Sequence, residues 1–431
     1  MYRNFTKTLE EWDANGAKKP LMVIGARQTG KTWVIRDFLN RKFPDHIYLN
    51  LEERGDLRSV FDGTLDPDSI LRGLEQMLSR KISPDTPIFI DEIQASENAV
   101  TSLKYFCEDP RNFKILSAGS LLGVKIHRFH ASFPVGKVEI EYLYPMDFEE
   151  FLLACDEAPL RDGIRSSFSD RKPLPEGVHN KALKLYHDYL FTGGMPEVIL
   201  DYLAHEKDVF AMDKKILSNL QLAYMADMTN YVTSPQESVK ILDTWRSVPR
   251  QLAKDNPKFK YSEVRKGMGR RDFRGPLDWL AASEMIYKVD NVVRPDAPLQ
   301  GYDDPNSFKI YLSDVGILSN LCGVRYKDLL PDTHNIYKGG IVENYVYQQM
   351  RIRYPELYYF KPNESLEIDL LLDDGNDIIP TEIKSGRHRR STSLKNYRAK
   401  YHPPYAIRIS EMNFGMADGL LSVPLYAVFC I

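Results

Sequence analysis

Between Pro20 and Pro145, short apolar runs alternate with amphipathic stretches. The runs are PLMVIGA, HIYLNL, PIFIDEI, FKILSAG and KVEIEYL, each of strand length. Between them, TWVIRDFLNRKF and SILRGLEQMLSRKI repeat apolar residues at helical spacing. Near-continuous apolar strands separated by helices predict a parallel sheet covered on both faces, because parallel neighbours need a crossover long enough to hold a helix. From 147 to 255 the period becomes helical, in DFEEFLLAC, NKALKLYHDYLF and VFAMDKKILSNLQLAYMADM, with the proline-rich break RKPLPEGVH between the first two. Residues 258–294 read as helix, basic turn, helix (FRGPLDWLAASEMI) and strand (YKVDNVV), an order compatible with a winged helix. From about Phe308 to Ile431 the pattern is again mixed α and β. The expected organisation is an α/β domain at 1–150, a helical lid and winged-helix-like middle at 151–300, and a second α/β domain at 301–431.

Composition narrows the partners. A chain of 431 residues can bury several cores, and 43% hydrophobic with 27% charged residues is a globular composition. The net charge of -3 gives no global attraction to nucleic acid or anionic lipid, so either partner needs a local patch. The four cysteines (Cys107, Cys155, Cys322, Cys430) form no CxxC pair, which points away from zinc and from a disulfide framework and toward a reducing cytoplasm. The N-terminus is charged throughout, and no stretch approaches the roughly 18 apolar residues of a membrane span, so a cytoplasmic protein without membrane partners is expected.

The segment Gly25-Ala26-Arg27-Gln28-Thr29-Gly30-Lys31-Thr32 matches G-x-x-x-x-G-K-[ST] between an expected strand and an expected helix. Glycines let backbone N–H groups turn toward a β-phosphate, and the helix N-terminus adds partial positive charge. Lys31 is placed to reach the β- and γ-phosphates and Thr32 to ligate Mg²⁺, so ATP and Mg²⁺ are the expected cofactors. The partner acid belongs at the C-terminal end of a neighbouring strand, where open α/β sheets bind ligands. PIFIDEIQ supplies Asp91 for the metal and Glu92 to polarise an attacking water. Beyond the next strand, Ser120 (with Ser117 as the alternative) is the candidate γ-phosphate sensor, and Arg128 or Lys137 is a candidate transition-state cation, in cis or from a second subunit.

Two further features carry candidate chemistry. LEIDLLLDDGNDIIPTEIK reads as two strands joined at Gly375-Asn376, and counting back from an Asp374–Asp377 pair places Asp369 opposite Glu382. Lys384 shares the face of Glu382, giving D…E-x-K: two carboxylates able to hold a divalent ion and a lysine able to stabilise a hydroxide. The same residues also suit a solvated acid–lysine pair across a hairpin. Pro380, lacking an N–H, predicts an interruption or an edge in that second strand. The stretch KFKYSEVRKGMGRRDFRG (Lys258, Lys260, Arg265, Lys266, Arg270, Arg271, Arg274, interleaved with Tyr261 and Phe273) and GRHRRSTSLKNYRAKYH are basic clusters that suit either DNA phosphates or solvent.

Taken together, GARQTGKT, FIDEIQ, LSAGSLLG, YLYPMDFEEFL, YLFTGGMPEVIL, FKIYLSDVGILSNL, GGIVENYVYQQM, EIDLLL and TEIKSG resemble a bacterial and archaeal AAA-type P-loop ATPase family with a C-terminal DUF4143 domain. The resemblance runs through nearly the whole chain in order. It implies a fold of α/β class: an AAA/ASCE-type parallel sheet, a helical lid and winged-helix middle, and a C-terminal restriction-endonuclease-like domain. It adds Glu343, in GGIVENYVYQQM, to Asp369, Glu382 and Lys384 as a nuclease-like set with a second divalent metal. Family members often carry arginine where this chain has Lys137, and lysine lacks the guanidinium fork. Two functions follow: an ATPase coupled to DNA binding or processing, or a nucleotide-dependent switch whose catalytically inactive nuclease-like domain binds a protein, with self-association open in either case.

Overall fold

The computed structural model describes every residue except 121–132, 231–233, 255–256, 332, 364 and 387–391. It divides into two compact units, Met1–Tyr144 with Ala282–Glu284, and Pro145–Ala281 with Met285–Ile431. Among the described residues no helix is long and apolar enough to cross a membrane.

All five apolar runs of the first unit are strands: β1 (Leu21–Ile24), β2 (Ile47–Asn50), β3 (Ile88–Asp91), β4 (Ile115–Gly119) and β5 (Glu139–Tyr142). They pair in parallel in the order β2-β3-β4-β1-β5. Helices α1 (Phe5–Ala14), α2 (Lys31–Lys42), α3 (Pro67–Leu78) and α4 (Glu97–Glu108) cover the sheet. Side chains alternate between two cores as the strand period requires. Leu21, Val23, Phe89 and Leu116 pack with Leu9, Val34 and Phe38 on one face, while Met22, Ile24, Ile88 and Ile90 pack with Ile70, Leu74 and Leu103 on the other. Because every strand points the same way, the P-loop after β1, Asp91 ending β3 and Ser120 after β4 gather at one end of the sheet.

The second unit holds an eight-stranded sheet in the order β12-β13-β11-β10-β9-β8-β6-β7. Its strands are β6 (Ile286–Val292), β7 (Asp303–Leu312), β8 (Tyr358–Asn363), β9 (Leu366–Asp373), β10 (Ile378–Ile383), β11 (Ala406–Ser410), β12 (Gly415–Ala417) and β13 (Leu420–Pro424). The helices used below are α5 (Glu176–Thr192), α6 (Pro235–Leu252), α7 (Arg270–Ala282), α8 (Val315–Leu321) and α9 (Lys338–Met350). Within residues 258–294 the expected first helix is only a three-residue 3-10 turn (Tyr261–Glu263), after which α7 and β6 follow the expected order, and Phe259 N–H bonds to Phe308 O at 2.8 Å on the edge of β7. However, β6 pairs with β8 as well as β7, which builds this hairpin into the larger sheet. Residue 300 thus falls between two strands that pair directly.

A tight crossing joins α5 to α8. A Cβ on Gly193 would lie 2.2 Å from Asp314 Oδ1, one on Gly194 2.1 Å from Met146 O, and one on Gly316 2.3 Å from Thr192 O. Asp314 caps α8 by accepting from Ile317 N–H at 2.9 Å, and accepts from Gly194 N–H at 2.6 Å. The FTGGMP and SDVG stretches are thus explained by packing: only glycine lets the two backbones come close enough for one carboxylate to serve both.

Candidate functional site

The P-loop starts where β1 runs out of its apolar face. Gly25 is required there, because a Cβ would stand 2.2 Å from Leu143 O. Gln28 (φ 64°) and Gly30 (φ 93°) take left-handed backbone that turns the loop into the start of α2. Lys31 is buried and donates to Gly25 O at 2.9 Å and Ala26 O at 2.7 Å, while Thr29 Oγ1 donates to Ala26 O at 3.0 Å. Arg3 braces the loop from the N-terminus, donating to Thr29 O at 2.6 Å and to Tyr144 O at 2.7 Å.

Asp91 ends β3 with one intervening strand, β4, between it and β1. Thr32 Oγ1 donates to Asp91 Oδ2 at 2.9 Å, and Tyr48 OH, on β2, donates to the same oxygen at 3.0 Å. Glu92 follows in left-handed backbone at φ 49°, and its N–H reaches Asp91 Oδ1 at 3.1 Å. Gln94 donates its side-chain amide to Glu92 Oε2. Burial pushes the Glu92 carboxyl above the usual glutamate range, and neighbouring Asp91 adds to the rise while Gln94 opposes it. A carboxyl held this way takes a proton more readily than an exposed one, as a general base must.

The other candidates separate. Ser117 is fully buried and its hydroxyl donates to Leu21 O at 3.4 Å, which ties β4 to β1. Ser120 stands just past β4, at the nucleotide end of the sheet. Lys137 lies before β5, whose first residue Glu139 pairs with Leu21 at the start of β1. It is therefore at the opposite end of the sheet, about 10 Å from the P-loop by strand rise alone, and it pairs with Glu108 at 3.0 Å. Within one chain, Lys137 cannot serve as the transition-state cation. Arg128 lies outside the described residues.

In the second unit the hairpin register is as counted from the turn. Ile378 pairs with Asp373 and Thr381 with Leu370, and one further step puts Glu382 opposite Asp369. Asp374 Oδ1 accepts from Asn376 and Asp377 N–H at 3.0 and 2.9 Å, which fixes the turn. The expected interruption at Pro380 takes a local form: β10 runs through it unbroken, but pairs with β11 only from Thr381 onward.

The sequence-expected set of Glu343, Asp369, Glu382 and Lys384 does come together, but with residues that the motif does not contain. Lys309 of β7 is 1% exposed and stands 3.0 Å from Glu367 Oε1 and 3.6 Å from Glu343 Oε2. Tyr311 OH donates to Glu343 Oε2 at 2.7 Å. Lys361 pairs with Glu367 at 3.0 Å, Lys384 pairs with Glu382, and Arg408 on β11 is the register partner of Glu382. Asp369 Oδ2 accepts from Ile383 N–H at 2.8 Å. Burial, with Glu343 alongside, pushes Asp369 up to about 7. Burial opposes the charge on Lys309, yet Glu343 and Glu367 outweigh it and hold the ammonium well above the usual lysine range. Among the described residues, no group of three or more His, Cys, Asp or Glu side chains is arranged to hold a metal ion.

The first basic cluster is partly neutralised. Arg265 pairs with Asp243 and Arg274 lies 3.7 Å from Asp278, while Arg270 donates to the uncharged Asn306 Oδ1 at 2.5 Å. Lys266 and Arg271 have no ion pair among the described residues. In the second cluster, residues 387–391 lie outside the described residues.

A P-loop at the C-terminal edge of a parallel sheet, bonded through Thr32 to an acid two strands away, defines a nucleotide-binding domain of the AAA-type ATPase class. Residues 17–152 match the model of an AAA domain, residues 183–328 a domain of unknown function, DUF8612, and residues 338–428 another, DUF4143. The chain thus joins an AAA-type P-loop domain to a C-terminal DUF4143 domain. Among solved structures it is similar to a Walker-type ATPase of Pyrococcus abyssi, at 16% identity and TM-score 0.47, over 75% of this chain and 95% of that one. It is also similar to the ORC2 protein of Aeropyrum pernix, in a complex with ADPNP and ADP, at 12% identity and TM-score 0.37 over 74% and 92%. Comparison with curated proteins gives no match.

Residues absent from the sequence reading hold much of this geometry. Arg3, Tyr48 and Gln94 support the nucleotide site, and Lys309, Glu367 and Arg408 fill the C-terminal cluster. A charge in an otherwise apolar strand, as Lys309 is in FKIYL, was the available signal.

Proposed function

We propose that the chain is a Mg²⁺-dependent ATPase that couples its nucleotide state to DNA binding by the second unit. The observation that carries the ATPase reading is the 2.9 Å bond between Thr32 Oγ1 and Asp91 Oδ2, which brings together two oxygens suited to a hard cation. Thr32 would hold the Mg²⁺ directly and Asp91 through water, and the ion would bridge the β- and γ-phosphates. Lys31 would exchange its bonds to Gly25 O and Ala26 O for phosphate oxygens. Glu92 would take the proton of the attacking water, with Gln94 fixing its rotamer, and Ser120 would contact the γ-phosphate. The position of Lys137 supports a transition-state cation drawn from Arg128 or from a second copy of the chain. Four free cysteines support placing the chain in the reducing cytoplasm.

Lys266 and Arg271 support the DNA reading. The neutralisation of Arg265 and the charges near it favours the second reading, a nucleotide switch whose second unit binds a protein. One experiment separates them. Wild type and Lys31→Ala are compared for nucleotide binding, phosphate release, and anisotropy of labelled single- and double-stranded DNA at low salt. Trp33 supplies the nucleotide signal, because it adjoins Thr32 and is 47% exposed while Trp12, Trp245 and Trp279 are buried. Loss of turnover in Lys31→Ala with ATP-dependent DNA binding in wild type is the expected result. No turnover in wild type overturns the ATPase, and turnover without any DNA binding leaves the protein-binding switch.

A further inference from the structure

We infer that the carboxylate cluster of the DUF4143 domain is closed by cations of the second unit, with the Lys309 ammonium standing where a divalent metal would otherwise sit. This does not rest on the ATPase reading, since every residue involved lies in the second unit.

A metal at this cluster would need Glu343, Asp369 and Glu382 to turn free oxygens toward one point, each about 2.0–2.6 Å from the ion. Each is already engaged. Glu343 accepts from Tyr311 and faces Lys309, Asp369 accepts from Ile383 N–H, and Glu382 is held by Lys384. Lys309 arrives from β7 and is 1% exposed. Its ammonium lies 3.0 Å from Glu367 and 3.6 Å from Glu343, so it bridges strand β9 and helix α9 as a cation would.

Charge counting agrees with geometry. Four carboxylates, Glu343, Glu367, Asp369 and Glu382, face four cationic groups, Lys309, Lys361, Lys384 and Arg408. Among the described residues, the carboxylates of the cluster do not outnumber its cations. Adding a divalent ion would leave two surplus positive charges in a largely buried site, at a cost that water cannot screen. Lys309 cannot swing aside to admit the ion, because it is enclosed and because leaving would strand its ammonium without Glu343 and Glu367. The donors therefore do not fit a second divalent metal, and the cluster acts as a structural charge network that pins α9, β7, β9 and β10 together.

The test is Mn²⁺ binding to the full chain without nucleotide, followed by electron paramagnetic resonance and by Tm. Wild type is expected to show no saturable Mn²⁺ site at the cluster and no metal-dependent rise in Tm. Lys309→Met, which keeps the stem and removes the charge, is expected to gain one Mn²⁺ per chain and to be stabilised by it. If Lys309→Met does not fold, Asp369→Asn decides in its place: it leaves the Mn²⁺ response of wild type unchanged. A site seen in wild type that Thr32→Ala removes belongs to the P-loop and agrees with the inference. A wild-type site that Asp369→Asn abolishes and Thr32→Ala retains overturns it.

Discussion

The two charged sites of this molecule treat their lysines in opposite ways. In the P-loop, Lys31 rests on two backbone carbonyls of its own loop, Gly25 O and Ala26 O. Those are neutral acceptors that a phosphate can outcompete, because an anionic oxygen adds a Coulomb attraction to the ammonium that a carbonyl oxygen lacks. In the second unit, Lys309 of β7 rests on carboxylates that come from a different strand and from a helix. The first arrangement holds a cation in reserve for an anion from outside; the second has already spent it on anions within. A cluster of acids and lysines is thus a binding site or a brace according to what each lysine leans on.

That contrast can be broken most forcefully at Lys309. Lys309→Met leaves the half-buried Glu343 without its ammonium and Glu367 with Lys361 alone, and should lower the stability of the second unit by about 2–3 kcal/mol, measured by urea unfolding. A loss too small to resolve would mean that the cluster is hydrated and open, more like the P-loop. Glu92→Gln tests the other side. It should cut phosphate release by roughly 10²–10³-fold while nucleotide still quenches or shifts Trp33 emission, and equal loss of binding would make Glu92 a structural residue.

A pH experiment sharpens the comparison at Asp314, a carboxylate spent on backbone N–H groups. Burial pushes Asp314 up to about 6 from its ordinary 3.8. The folded state then holds this proton more tightly than the unfolded state, so Asp314 makes stability fall as pH rises from about 4 through about 6. Asp314→Asn should remove that slope, changing the wild-type-to-variant difference by up to about 3 kcal/mol across the window. Unchanged slopes in the two proteins would show that the N–H donors of Gly194 and Ile317 already satisfy the charge. The smallest effect belongs to Lys137. Its ion pair with Glu108 lies at the far end of the sheet, and Lys137→Ala should keep turnover within about twofold; a large loss would place it at a neighbouring subunit's site.

Legibility followed the range of the contacts. The five strands of the first unit, the P-loop and the acid after β3 could be read because each is a local pattern of period, glycine and charge. The hairpin register was readable for the same reason: Gly375-Asn376 fixes the turn, and every pair in β9 and β10 follows from it. What could not be read involves partners far apart in the chain. Arg3 reaches Thr29 and Tyr144, Tyr48 reaches Asp91, and Lys309 reaches Glu343 and Glu367. YKVDNVV was expected within a separate winged-helix-like middle, yet the same strand also pairs with β8, because pairing depends on which edge is free and not on the strand's own residues.

The sequence by itself determined that this chain carries a phosphate-binding loop poised between a strand and a helix, since the loop's glycines, lysine and threonine act through backbone turns a few residues long. It also determined that Asp369, Glu382 and Lys384 would meet. Only the tertiary structure decided what that meeting is for. The identity of the cation among those carboxylates depends on a strand some sixty residues earlier, and the end of the sheet on which Lys137 falls depends on the direction of β5 beside β1. Both are fixed by packing across the sheet, where free energy depends on which side chains become neighbours and which of them are taken out of water.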